Sequence, residues 1–449
     1  METTKYFLIT NDQFNPIYRD LPENTSIESF IFSLNFFTEI LHENASIIKF
    51  GDFKVVIITS QDLIFLVMSK GNESDASLRK QLTIVQNLFD LAFGKQFLVN
   101  VSLNRSRIPI QAQPKMRVLI DALINLSNNH QHFLVHAVHK IEKQNLAETI
   151  KEKLLPIIQE NESIIQILFF VDTKLLIQLN SNHKPRIKIS SEDIFLLLIY
   201  IHAVLDYEQL TSSEKFDDVP LETSENESVD FSNEIPINDC DEELYFRLPN
   251  HQPLRVYSAK TTSNTKLVLI LRQNSSLSTE NLREIAHRFR YSVRHHVECL
   301  SIPSFTILPY VSKYPGIIHF IFVDRNRNRV IAPDFTSLHE VYKIETPNIE
   351  NMSKNYIKSK VWDLSSHAQT FLEKEGEKLL INEKLPSLEN LSQENSFHIQ
   401  TIQKLFRSKK VYCYEIYTLY SAALSSETAA NFNNCLISDL FSYFMDSKN

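Results

Sequence analysis

Glycine is scarce in this chain. Only Gly51, Gly71, Gly94, Gly316 and Gly376 occur among 449 residues, and no two are spaced for a GxGxxG or GxxxxGK loop. Such loops need clustered glycines so that main-chain N–H groups can close on phosphate. The usual nucleotide cradles are therefore excluded. Cysteine is scarcer still: Cys240, Cys299, Cys413 and Cys435 lie far apart, with no CxxC pair. That argues against a disulfide framework and a thiolate zinc site, and for a reducing compartment. No apolar run reaches bilayer length. The longest, IFLLLIYIHAVL at 194–205, is about eight residues short of a span. The start, METTKYFLIT, has too short an apolar run for a signal peptide. GxSxG is missing too, and no cysteine has a histidine placed for a dyad. Enzyme chemistry has no foothold, no cofactor is called for, and the expected setting is cytoplasmic.

Charge is unevenly spread. Residues 206–243 hold fourteen carboxylates against a single Lys215, a net −13 within a chain of −8, so the remainder carries +5. A mildly basic remainder does not call for nucleic acid. The acidic stretch, rich in Ser, Asp, Glu and Asn, cannot bury enough apolar area to order itself and reads as a disordered insertion.

Length allows about three domains at roughly 150 residues each, and the pattern repeats accordingly. In 1–130, KYFLIT (5–10), KVVIIT (54–59) and LIFLVMS (63–69) are strands, and 26–44 and 72–94 are helices, the second capped by Ser74 or Asp75 and stopped by Gly94. In 131–300, a long helix over about 131–158 precedes a hairpin around Asp172-Thr173 (164–179) and a capped helix at 190–205. Strands 253–259 and 266–272 and a helix at 277–300 follow. In 301–449, strands come first, then helix 356–374 and one or two helices between about 398 and 446. The fold class is α/β in the α+β sense: three small domains, each an antiparallel sheet flanked by helices.

Helix 26–44 is apolar on two faces. Ile27, Phe30, Leu34, Phe37 and Leu41 make one stripe; Phe32, Phe36 and Ile40 make the opposite one. Both must be covered, the second either by this chain or by a partner subunit. His132, His136 and His139 fall at i, i+4 and i+7 on the predicted helix 131–158, a spacing that could offer imidazoles to a metal, but no carboxylate converges there and no metal is assigned. The helix segment 287–296 gathers Arg288, Arg290 and Arg294 with His287, His295 and His296. It reads as a solvated face or as a contact for anionic lipid headgroups. In YPGIIHFIFVDRNRNRVIAPDF (314–335), apolar residues fill both faces of an interior strand, and Asp324 to Asn328 form a polar turn. His319, Asp324 and Arg325 are then scaffold residues.

PGIIHFIFVDRNRNRVIAPDF, followed by YIKSKVWDLSSHAQTFLEKEG, closely resembles the C-terminal region of the family of the first Hermansky–Pudlak syndrome protein. NESDASLRKQLTIVQNLFDLAFG is similar to the second helix of its first domain. FFVDTKLLIQL with EDIFLLLIYIHAV is similar to its second domain, and KKVYCYEIYTLYSAAL to its terminal helix. The resemblance runs intermittently from about 45 to 440. After Gly376 that family has an aromatic-rich strand pair, where this chain has the mostly polar EKLLINEKLPSLENLSQENSF, so the third domain is expected to be incomplete.

The resemblance implies three longin domains and membership among the tri-longin proteins, relatives of the Mon/Ccz pair. It implies a heterodimer with a second tri-longin subunit, the fourth Hermansky–Pudlak protein, acting as a guanine-nucleotide exchange factor for Rab GTPases of the thirty-two and thirty-eight subgroup. The setting would be lysosome-related organelle biogenesis, with peripheral recruitment to endosomal or organelle membranes. The Rab surface would lie on strand 63–69, at Leu63, Phe65 and Val67, and Phe32, Phe36 and Ile40 would face the partner. A longin adaptor or tether without exchange activity is the alternative.

Overall fold

The computed structural model describes residues 4–11, 16–20, 46–60, 63–70, 73–103, 112–139, 141, 144–182, 187, 189–207, 238–248, 252–298, 306–335, 357–358, 361–362, 397–405, 411–420 and 424–445. Three five-stranded sheets carry the architecture.

The first sheet is built from β1 (Thr4–Asn11), β2 (Pro16–Asp20), β3 (Ile47–Phe50), β4 (Phe53–Ser60) and β5 (Leu63–Lys70), in the antiparallel order β2-β1-β5-β4-β3. Gly51 takes φ +59° in the tight β3–β4 connection, where Phe50 pairs with Phe53; a two-residue hairpin needs this left-handed conformation, and glycine enters it without strain. Helix α1 (Asp75–Phe93) starts at Ser74, whose side chain accepts from the Ser77 N–H at 3.2 Å, and stops at Gly94. Its stripe of Leu78, Leu82, Val85 and Phe89 is buried against Phe7, Ile9, Phe65 and Val67 of the sheet. Helices α2 (Lys95–Leu103) and α3 (Gln113–Asn129) complete the unit.

The helix expected over 131–158 is broken. It becomes a single turn, α4 (Gln131–Leu134), a left-handed residue, His136 at φ +50°, a short strand β6 (Val138–His139), and then α5 (Gln144–Glu160). The reason is tertiary. β6 leaves to pair in parallel with β13 (Arg329–Ile331) at the edge of the third sheet, through Arg329↔Val138 and Val330↔His139.

The second sheet holds β7 (Ile164–Val171), β8 (Lys174–Asn180), β9 (Asp239–Leu244), β10 (Leu254–Thr262) and β11 (Thr265–Leu271), ordered β8-β7-β11-β10-β9. The expected hairpin turns at Asp172-Thr173, with Asp172 at φ +51°. One face packs on α5 and on α7 (Thr279–Glu298) through Leu282, Ala286, Phe289 and Val293. The other meets α6 (Ser191–His202), which runs on into a π-helical turn, Ala203–Tyr207. α6 is apolar all round because it lies between this sheet and helices α1 and α3 of the first unit, so the two units share one core. That placement accounts for the longest apolar run in the chain. No helix among the described residues is long and apolar enough to cross a membrane.

Ser190 caps α6 by accepting from the Asp193 N–H at 3.0 Å, and Asp193, buried, takes a 2.8 Å bond from Arg247 Nε. Ser190→Ala should lower stability by about 1–2 kcal/mol, read as a shift in the urea midpoint at unchanged slope.

The acidic insertion is shorter than expected. Asp239, Asp241, Glu242 and Glu243 belong to β9, paired to β10, and Asp206 sits in the π-helical turn holding Lys260 and Lys266. Ion-pair partners, absent from any local reading, allow so acidic a strand to form. Residues 208–237 lie outside the described residues.

The third sheet runs β14 (Phe397–Leu405), β15 (Val411–Tyr420), β12 (Ile317–Asp324), β13 and β6. Helices α8 (Leu308–Lys313) and α9 (Ser426–Met445) accompany it, with Tyr310, Leu436 and Leu440 in its core. Two expectations fail here. VYCYEIYTLY is strand rather than helix, and an aromatic-rich strand pair is present, displaced to 397–420. Tyr417 and Tyr420 on β15 are buried, as β-branched and aromatic alternation in a central strand allows. Of the predicted helix 356–374, residues 357–358 and 361–362 are described, with Ile357 and Val361 buried.

Candidate functional site

On the first sheet the exposed apolar feature lies at one edge rather than on a face. Its α1 face is closed, as described. Its other face carries Leu8, Val55, Ile57, Ile64, Leu66 and Met68, all of them buried, with the half-buried Tyr6, Ile48 and Phe53 packed against them and the Tyr6 and Phe53 rings 6.3 Å apart. The apolar rim continues onto the edge strand β3, where Ile47 is 38% exposed. β3 pairs with β4 alone among the described residues, so within them its outer edge has no strand partner and carries an exposed apolar side chain, the composition that β-addition uses.

One end of the same sheet is pinned by a polar knot. Lys5 Nζ, almost fully buried, donates to Glu73 Oε1 at 2.8 Å and to Gln81 Oε1 at 3.0 Å. Ser69 and Gln81 also donate to Glu73, and Lys54 donates to its backbone carbonyl and pairs with Asp75 at 3.0 Å. The start of α1 is thereby fixed to β1, β4 and β5.

The residues predicted for Rab contact do not lie on a free surface. Leu63, Phe65 and Val67 are 3%, 1% and 0% exposed and pack beneath α1. Both faces of β5 are apolar, so the strand is interior and its side chains have nothing to offer a partner; this corrects the placement. Phe32, Phe36 and Ile40 lie outside the described residues. Ile47 was missed by sequence reasoning, although the IIKF–Gly51 pattern before a strand marked an apolar edge.

The three histidines predicted on one helix face are dispersed over a turn, a left-handed residue and a strand. Tertiary structure nevertheless gathers two of them with a fourth: the His130 and His132 rings are 5.7 Å apart, as are His132 and His139, while His136 stands against Phe195. Burial holds all four neutral, lowering His130 to about 4 and His139 to about 3 and taking His132 and His136 well below the ordinary range. No metal-ligating group of three stands among the described residues.

This segment is where the three units meet. Thr173 of the β7–β8 turn lies 3.3 Å from His130 Nδ1. Gln131 Nε2 donates to the Pro333 carbonyl at 2.7 Å, which leaves its Oε1 to accept from His319 Nε2–H at 2.6 Å. His319 stacks on Phe335, and Trp362 Nε1 donates to the Ser127 carbonyl at 2.9 Å. Arg325, expected as a turn residue, points inward instead. It grips Glu415 through Nε at 2.7 Å and Nη2 at 2.6 Å, and donates through Nη1 to the Val135 carbonyl at 2.7 Å. Tyr417 OH completes the set by donating to Glu415 at 2.7 Å. Burial opposes the Glu415 charge, yet Arg325 holds the carboxyl below its usual range. Asp324 does cap the turn, accepting from the Asn326 and Arg327 N–H groups.

Elsewhere the shifted carboxylates are structural. Asp206 is pushed up by burial but held low by His202 and Lys266. Glu242 joins Lys115 of α3 to Tyr200 of α6, and Asp241 is gripped by Arg255. Of the basic trio on α7, Arg288 is exposed and pairs with Glu284, Arg290 is half-buried, and the Arg294 side chain lies outside the described part.

Residues 5–123 match the family model for the first longin domain of FUZ, MON1 and HPS1; the first unit, a five-stranded antiparallel sheet with flanking helices, has the longin fold, and the two further sheets are consistent with three longin-like domains.

Proposed function

We propose that the chain is one subunit of a heterodimeric guanine-nucleotide exchange factor that promotes GDP release from Rab GTPases of the thirty-two and thirty-eight subgroup in lysosome-related organelle biogenesis. The match of residues 5–123 to the first longin domain of FUZ, MON1 and HPS1 carries this reading. Exchange needs no covalent chemistry. Nucleotide and Mg²⁺ order the GTPase switch loops, and a protein that prefers the nucleotide-free conformation shifts the population toward it. Accelerating release about a thousandfold requires roughly 4 kcal/mol of differential binding, which a modest rigid surface can provide. In this chain the partner, a second tri-longin subunit such as the fourth Hermansky–Pudlak protein, would meet the first domain at the β3 edge around Ile47 and at segment 26–44.

The test follows fluorescent GDP release from a candidate Rab with this chain, with the partner, and with both. Acceleration of about a thousandfold by the pair alone is expected. Tight binding to the GTP form without acceleration would make the chain an adaptor or tether.

A further inference from the structure

We infer that the outward face of α7 docks the protein on an anionic lipid bilayer. α7 buries Leu282, Ala286, Phe289 and Val293 against the second sheet, which by helical spacing turns Asn281, Glu284, Arg288 and Tyr291 to solvent. Tyr291 is 82% exposed, the highest among the exposed large hydrophobic side chains of the described residues. Packing does not require an aromatic ring there. Its neighbour one turn back, Arg288, has a side chain 77% exposed, in a pair with the 59%-exposed Glu284 that solvent screens.

Beyond the Glu284–Arg288 pair the sequence of the helix is one-signed. From Ile285 to Val297 there are three arginines and three histidines and no carboxylate. The acids of the helix are confined to its ends: Glu280 and Glu284 lie in the first two turns and Glu298 at the last residue. Asp239 of β9, which faces the helix, is already committed to Arg283. An exposed tyrosine one turn from an exposed arginine, on a helix whose later sequence is otherwise basic, has the composition of a membrane–water interface, where the ring sits at headgroup level and the cation meets phosphate. An acidic protein surface would be served by Arg288 alone and gives no role to the exposed ring, so charge complementarity together with Tyr291 favours lipid.

This inference does not depend on exchange activity, and its test leaves the GTPase out. Full-length chain is sedimented with phosphatidylcholine vesicles, with and without about one-third phosphatidylserine, near physiological salt. Wild type should partition onto the phosphatidylserine vesicles and release at high salt. Arg288→Ala should weaken partition about fivefold, and the R288A/Y291A pair by roughly tenfold or more. Neither side chain is in the core, and superimposable thermal melts confirm that both variants fold. Equal partition onto neutral and anionic vesicles, or a double variant indistinguishable from wild type, would overturn the inference; the second result is also the one expected if a soluble protein occupies this face.

Discussion

Arg325→Met is expected to destabilise the protein by about 3–5 kcal/mol, because it leaves the Glu415 carboxylate buried without its counter-charge. The geometry makes this position unusually sensitive. Arg325 spends its fork on both Glu415 oxygens and its remaining nitrogen on the Val135 carbonyl. Removing it therefore strands two groups in one step: the Glu415 charge on β15, left with the Tyr417 hydroxyl as its donor, and the Val135 carbonyl beside β6. Glu415→Gln should cost less, since the amide still accepts from Tyr417. The double variant R325M/E415M should recover much of the loss, because two apolar side chains of similar volume can replace a buried pair at little net cost. Urea titrations of the two single variants and the double variant at neutral pH measure this; additive losses would show that the two side chains act independently. Because Arg325 ties the third sheet to the segment between the first two, the single variant should also expose residues 131–139 to proteolysis before either flanking sheet.

Acid should weaken the same junction. His130 and His139 are held near pH 4 and 3 by burial, with neighbouring positive charge adding to it, and His319 near 3 by burial alone. Unfolded, each returns to about 6.5. Between these values the unfolded chain binds more protons, so stability is fully present above pH 6.5 and is lost as the pH falls toward 4. At pH 4.5 each of the three would contribute a loss of about 2–3 kcal/mol if it acted alone; His130 and His139 both neighbour His132 and will not add fully. The stabilised carboxylates Glu242, Asp241 and Glu415 lose their contribution only as the pH drops through and below the ordinary carboxylate range. From 6.5 to about 5 the histidine loss leads, offset in part by Asp90, whose carboxyl burial raises to about 6, so that its protonation there favours the folded chain. Urea midpoints at pH 7.5, 6 and 5 should fall steadily, and His319→Gln, which can still bond Gln131, should flatten that fall. A midpoint independent of pH across this interval would mean that the junction opens locally and lets these rings protonate without unfolding.

Much of the architecture was legible in the chain. Strands β4, β5, β7, β8, β10, β11 and β12 and helices α1, α6 and α7 fall within a few residues of the periodicity reading, because each buries a regular apolar stripe and carries its own cap or turn residue. Ser74, Ser190, Gly94 and Asp172 are local signals that act locally. The failures share one cause. The chain from 131 to 139 looked helical by histidine spacing, but its backbone is claimed by the third sheet nearly two hundred residues on. VYCYEIYTLY is aromatic at intervals that suit helix or strand, and its pairing with β12 and β14 decides between them. β9 is as acidic as the insertion it follows and orders only because Arg255, Lys115 and Arg283 wait for it.

The candidate surfaces divide the same way. Composition and missing motifs pointed to a protein that works by binding, and the apolar segment before Gly51 already contained the edge where Ile47 now stands. That Leu63, Phe65 and Val67 are core rather than surface could not be read from a strand apolar on both faces, since period two says which residues share a face but not which face is covered. α6 makes the point at larger scale: its hydrophobicity on all sides was plain in sequence, yet whether it met lipid, a partner or two domains of its own chain depended on where the other elements came to rest. Local patterning determines which segments are helix or strand, because backbone geometry and caps act over a few residues. Which faces remain open to a partner is decided by the fold, because burial is a property of contacts between residues far apart in the chain.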